Sequence, residues 1–275
     1  MVITASLVNE LRQKTGAGMM DCKNALVEAN GDFEAAMDIL RKKGQKIASK
    51  RGDNEAKEGL IYADAKGEKG YIIQFNCETD FVAKNEDFGK FVQEILAIGV
   101  KNDVDNIDTL KSLKFNDKLT IEEKIVEQTG VIGEKLDLSK FERVIATSVV
   151  AYNHPGNQLA TLVGFNKSGA NIEEAGKQIA MQVAAMNPIA ITAEGVDQKT
   201  IDHELEIAKE LAIQEGKPAD MAEKIAQGRL NKFFKESTLL SQEFVRNNKQ
   251  TVEAFLNSVE SGLTVNEFKR YSLSL

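Results

Sequence analysis

The run Tyr71-Ile72-Ile73-Gln74-Phe75-Asn76-Cys77-Glu78-Thr79-Asp80-Phe81-Val82-Ala83-Lys84-Asn85 decides the fold. Its first six residues are rich in the aromatic and β-branched types that suit a strand. Asn85 is placed to cap a following helix, in which Phe88, Phe91, Val92, Ile95 and Leu96 share one face. Between strand and helix lies a polar turn carrying the adjacent pair Phe81-Val82. An aromatic on such a turn either plugs the local core or is offered to a partner. Spacing alone favours the plug, because most loop aromatics simply pack.

Outward from this unit the same plan recurs. Leu60 to Ala65 predicts a strand paired with Tyr71–Asn76 around the loop Lys66-Gly67-Glu68-Lys69-Gly70. After the helix of 86–99 comes a polar segment with helical spacing (Leu110, Leu113, Ile121, Ile125, Val126), which Gly130 and Gly133 are expected to break. Residues 141–187 then repeat strand, strand and helix. One strand is expected from Phe141 to Tyr152, a turn at Asn153-His154-Pro155-Gly156-Asn157, and a second strand from Gln158 to Asn166. The helix of 171–186 has Ile172, Ala175, Ile179, Val183 and Met186 inward. The fold class is therefore α+β, with a core of two pseudo-repeated subdomains, each an antiparallel sheet covered by a helix.

The ends of the chain are helical. Three short helices precede the core. Leu7, Val8 and Leu11 line the first, and Gly16 ends it. Cys22, Ala25, Leu26 and Ala29 line the second. The third is capped by Asp32, lined by Phe33, Ala36, Met37 and Leu40, and expected to stop before Gly44. Met19 and Met20 are adjacent, so one is expected in the core and the other at the surface, with Lys23 on that exposed face. Residues 45–58 are expected to be a solvated, partly helical linker. Between 188 and 235 the stripe Ile201, Leu205, Ala208, Ala212 and its return Met221, Ile225, Leu230, Phe233, Phe234 predict an antiparallel coiled-coil hairpin around Gly216-Lys217-Pro218. The expected domains are 1–54, 55–140 and 141–275, the last holding the hairpin. The tail, 237–271, carries a strand-like stretch and a last helix, Val252 to Glu260, and is expected to complete the second subdomain.

Composition narrows the function. The chain has 275 residues and a net charge of −7, which argues against a large phosphate-binding surface and suits a partner with a basic face. No apolar run is long enough to span a bilayer, and Met1-Val2-Ile3-Thr4-Ala5 lacks a leader's charged start and apolar core. A cytoplasmic protein is expected, with no membrane partner. Cys22 and Cys77 are its only cysteines, too few for a disulfide framework or a zinc site, and each is expected to be a small buried thiol. No phosphate-binding glycine loop, dinucleotide fingerprint or nucleophile elbow occurs, so no cofactor, metal, catalytic residue or bound nucleotide is assigned. His154 and His203, the only histidines, are far apart and stand near no cysteine. His154 by itself is a turn residue. Two classes remain: an interaction protein that changes a partner's state, and an α+β hydrolase or transferase whose site is assembled from distant residues.

The run NCETDFVAKN, with TGAGMMDCKNAL and ANGDFEAAMDILRKKG upstream, resembles the bacterial elongation factor Ts family over nearly the whole chain. The resemblance implies a three-helix domain similar to the ubiquitin-associated fold, the two-subdomain core and a coiled-coil arm. It implies a translation elongation factor acting as guanine-nucleotide exchange factor for the GTPase elongation factor Tu, with no direct contact to nucleic acid and no bond chemistry. Carried over by motif, Thr79, Asp80, Phe81 and Val82 would disturb the partner's magnesium site, with Phe81 as a wedge. His154 would help to hold the pocket open. Met19, Met20 and Lys23 would touch the partner, as would Ile132 and Gly133. Many relatives carry His at the position of Gln182, which implies a structural role there.

Overall fold

The computed structural model describes residues 3–273; Met1 and Val2 of the N-terminal stretch, and the last two residues of the expected third domain, lie outside them. Among the described residues the chain is mixed α and β, with eleven α-helices and small sheets. It divides into two compact units. The first holds residues 3–62, Ile72–Arg143 and 272–273, and the second Ala63–Tyr71 and Val144–Tyr271.

In the first unit, α1 (Ala5–Thr15), α2 (Met19–Glu28) and α3 (Phe33–Lys50) pack around Val8, Leu11, Cys22, Ala25, Leu26 and Ala36. Thr4 and Asp32 cap α1 and α3, accepting from the N–H groups of Leu7 and Ala35. The third helix does not stop at Gly44 but runs six residues further, to Lys50, into the stretch 45–58 expected to be a partly helical linker. The reason is a helix crossing. Gly44 meets Gly130 of α7 (Ile121–Ile132), and a Cβ on Gly130 would fall inside the radius of the Gly44 Cα. Gly130 therefore lies within α7 instead of breaking it, and only Gly133, in the left-handed region at φ 80°, ends that helix. The capping box Thr120–Glu123 starts it.

The strand–turn–helix unit is present. β1 (Glu58–Lys66) and β2 (Lys69–Cys77) form the hairpin, and α5 (Glu86–Lys101) follows, capped by Asn85. Phe75 on β2 is fully buried and meets Phe88 and Phe91 of α5 edge-on, with ring centroids 5.7 Å apart in each pair. A short α6 (Ile107–Ser112) supplies buried Leu110. The strand expected over Phe141–Tyr152 is two strands. β3 (Asp137–Ile145) joins the sheet β1-β2-β3, while β4 (Ser148–Asn153) belongs to another. Ala146 and Thr147 make the bend between them with no Gly or Pro to announce it.

In the second unit β4 pairs antiparallel with β5 (Leu159–Phe165), Ser148 opposite Phe165 and Asn153 opposite Ala160. β8 (Val265–Ser272) completes the sheet β4-β5-β8. The strand-like stretch expected within 237–271 was given no bounds; β8 interleaves Asn, Glu, Lys and Arg with its apolar residues, which blurs its pattern. α8 (Ala170–Met186) covers the sheet, burying Ile172, Ile179 and Val183 against Val150, Val163 and Phe165. Met186, expected inward, is exposed at the helix end, and Gln182 is buried instead. α9 (Gln198–Gln214) and α10 (Ala219–Ser237) form a helical hairpin. Its seam is narrower than expected: Ala208, Ala212, Ala222, Ala226 and Leu230 are buried, whereas Met221, assigned to the stripe, is exposed. Small side chains bring the two backbones close. The pair β6 (Glu243–Phe244) and β7 (Asn247–Thr251) leads to α11 (Val252–Val259), with Phe244 stacked on Phe255 at 4.1 Å between centroids.

Candidate partner interface

The turn after β2 folds into a single helical turn, α4 (Asp80–Ala83). Ala83 points inward and Phe81 outward, and Phe81 is 83% exposed. This overturns the plug reading of Phe81 drawn from spacing. A helix of four residues is marginal in water, and this one is held from outside itself. Thr79 stands at its N-cap, yet its side chain makes no cap bond. Instead its hydroxyl donates to Glu134 Oε1 at 2.6 Å and its N–H to Glu134 Oε2 at 3.0 Å. The Thr79 carbonyl accepts from the Cys77 thiol at 3.2 Å and from the Ala83 N–H at 3.3 Å. Asp80 pairs with Lys84 at 2.6 Å, and this bond holds its carboxyl below the usual range. Both groups are solvent-exposed, so the pair is easily exchanged for another contact.

Glu78 makes the matching connection. Its carboxylate accepts from the Lys135 N–H, from Arg51 Nη1 at 2.9 Å and from Asn54 Nδ2 at 3.1 Å. Partial burial pushes the Glu78 carboxyl up, but the bonds from Lys135, Arg51 and Asn54 outweigh it and leave the group below its ordinary value. Neither glutamate was assigned a role from the sequence, where each looks like one more solvated carboxylate. The one signal was position: Glu134 directly follows Gly133, the residue that turns the chain out of α7. That is also why Ile132 and Gly133 are brought to the Thr79 segment, through their neighbour.

The remaining predicted residues occupy other places. Met19, Met20 and Lys23 are all exposed on α2, so neither methionine is a core residue, contrary to expectation. Val27, one turn beyond Lys23, is exposed too and was missed. Helical spacing puts Met20, Lys23 and Val27 on one face. In the second unit, His154 is exposed on the turn between β4 and β5, with Nδ1 2.9 Å from Tyr152 Oη. That hydrogen bond restrains the ring. Beside it opens an apolar hollow of about 410 Å³, walled by Leu159, Met181, Phe244 and Val245. Gln182 lies beneath, donating to Gln242 Oε1 and to the Glu243 carbonyl and accepting from the Val245 N–H.

Both thiols are buried. Burial, with the charges of Glu134 and Glu58 adding to it, pushes the Cys77 thiol up to about 12, and burial raises Cys22. Among the described residues no cluster of three or more His, Cys, Asp and Glu side chains is arranged to hold a metal ion. No described helix is long and apolar enough to cross a membrane.

The sequence comparisons decide the family. The model for elongation factor TS matches residues 78–274. The chain belongs to the elongation factor Ts family. Elongation factor Ts of Christiangramia forsetii is 50% identical to it, the match covering 98% of each chain. That of Amoebophilus asiaticus is 51% identical over 98% of each. The Porphyromonas gingivalis protein is 47% identical over 100% of this chain and 99% of its own. Membership makes this a translation elongation factor.

Proposed function

We propose that this chain is the guanine-nucleotide exchange factor of elongation factor Tu and that it acts without bond chemistry of its own. It binds the GDP-bound GTPase and disturbs that partner's magnesium and phosphate site through Thr79, Asp80, Phe81 and Val82. GDP then leaves and GTP can bind. The observation that carries the reading is Phe81, a phenylalanine 83% exposed on a clamped turn. A soluble chain gains nothing by holding such a ring in water. It gains when the ring enters an apolar gap that opens only as nucleotide leaves. Magnesium and phosphate hold each other in the partner's site, so displacing an element that holds the metal loosens both.

In this reading Met19, Met20 and Lys23 make a second contact, Ile132 and Gly133 support the first, and His154 makes a third. The helices α1–α3 are a domain similar to the ubiquitin-associated fold, joined to two pseudo-repeated subdomains, and α9–α10 form an antiparallel coiled-coil arm. The setting is the cytoplasm, and neither nucleic acid nor membrane is a direct partner. Exchange requires the factor to prefer nucleotide-free elongation factor Tu, since a ligand shifts an equilibrium only by its differential affinity. Titration calorimetry tests this. Tighter binding to the nucleotide-free GTPase than to its GDP complex is expected. Equal affinity for the two would overturn the proposal.

A further inference from the structure

We propose that Glu134 is a positioning residue for partner engagement, its carboxylate fixing the direction in which α4 presents Phe81; this rests on the reading of Thr79–Val82 as the wedge. Thr79 is the residue through which α4 leaves β2. Both its hydrogen-bond donors end on the two oxygens of Glu134, at 3.0 and 2.6 Å. A two-point grip on one residue fixes orientation as well as position, which one hydrogen bond does not. Glu78 returns the grip by accepting from the Lys135 N–H. Two adjacent chain segments, 78–79 and 134–135, therefore hold each other by exchanged carboxylates. Lys135 adds bonds from Nζ to the carbonyls of Gly52 and Asn54, at 2.7 and 2.9 Å.

The cap geometry argues that this grip serves orientation. A threonine at an N-cap ordinarily turns its hydroxyl onto the helix it starts. Here the hydroxyl is diverted to Glu134, and α4 is left without a side-chain cap. Local stability of the helix is given up, and a fixed attachment to the end of α7 is gained. A wedge needs that attachment. Ordering a loose segment on binding costs free energy that an aimed segment does not lose. Because the ring is buried only once the partner opens, the loss from loosening it falls on the opening step and not on first encounter.

The test combines two readouts on wild type, Glu134→Ala, Glu134→Gln and Phe81→Ala. Deuterium uptake in the free protein reads the amides of Thr79, Ala83 and Lys84, which are bonded to Glu134, Thr79 and Asp80. Release of labelled GDP from elongation factor Tu, normalised to folded protein, gives a maximal rate and a half-saturating partner concentration. In Glu134→Ala, uptake at these amides is expected to rise about tenfold or more while amides of α5 stay unchanged. The maximal release rate falls and the half-saturating concentration does not move. Glu134→Gln, which keeps an oxygen for the Thr79 N–H, gives a smaller change in the same direction, and it carries the test if the alanine variant does not fold. Wild-type uptake in both variants would overturn the proposal. So would raised uptake with wild-type release while Phe81→Ala is impaired. Wild-type release in Phe81→Ala would instead overturn the wedge reading itself, whatever Glu134 does.

Discussion

Replacing Phe81 by alanine separates the proposed function from stability. The side chain is 83% exposed, so little of its burial contributes to the fold. Fully burying a phenylalanine is worth about 1.5–3 kcal/mol. Roughly one-sixth of that, under about 0.5 kcal/mol, is at stake in the free protein. If Phe81 is the wedge proposed above, the other five-sixths, about 2 kcal/mol, is realised when the ring enters the partner. Each 1.36 kcal/mol is tenfold in rate, so GDP release at saturating factor should slow by about 30-fold in Phe81→Ala. Phe81→Leu, which keeps much of the apolar area, should fall between. The assay is stopped-flow release of fluorescent GDP, with urea denaturation on the same samples. Unchanged release from a normally folded variant would refute the wedge. A loss of stability above about 2 kcal/mol would refute the premise that the ring is unpacked.

Other consequences follow from the same structure. Gly130→Ala places a Cβ against the backbone of Gly44 and should destabilise by about 1–3 kcal/mol despite better helix propensity. Gly228→Ala in α10, where a Cβ meets nothing, should stabilise by up to about 1 kcal/mol; urea midpoints in the reverse order would contradict the crossing. Gln182→Ala strands the Val245 N–H and the Oε1 of buried Gln242 and should cost about 2 kcal/mol, measured by thermal unfolding. The Glu78 carboxyl lies below its ordinary 4.5 in the folded chain, so its contribution is complete above that pH and is lost as pH falls through the lower folded value. The stability gap between wild type and Glu78→Gln should therefore be full at neutral pH and close on acidification, and a gap that widens in acid would contradict the assignment.

The parts of the fold legible in the sequence are those written in local chemistry. Asp32 and Asn85 announce helix starts, and the aromatic and β-branched residues from Tyr71 to Asn76 announce a strand, because caps and strand propensity act within a few residues. What was misread depends on partners far along the chain. Gly44 and Gly130 look like helix stops, but each is a point of close approach to a helix more than eighty residues away. The bend at Ala146-Thr147 has no breaker residue, since the two strands part where they join different sheets. In the candidate site, Thr79, Asp80, Phe81 and Val82 were picked out by a motif. Glu134 was not, because its role lies in a contact 55 residues distant. Met19 and Met20 show the opposite failure: helical geometry forbids both from sharing one buried face, but it does not require that either be buried.

As the proposed exchange factor, this chain should make elongation factor Tu release GDP and take up new nucleotide. Elongation factor Tu loaded with fluorescent GDP, in excess unlabelled GDP, is the direct test, with this protein added far below stoichiometry. The slow intrinsic decay should become fast, with one molecule of the chain discharging many molecules of partner. Decay that stays at the intrinsic rate, with a folded sample and an active GTPase, would contradict it.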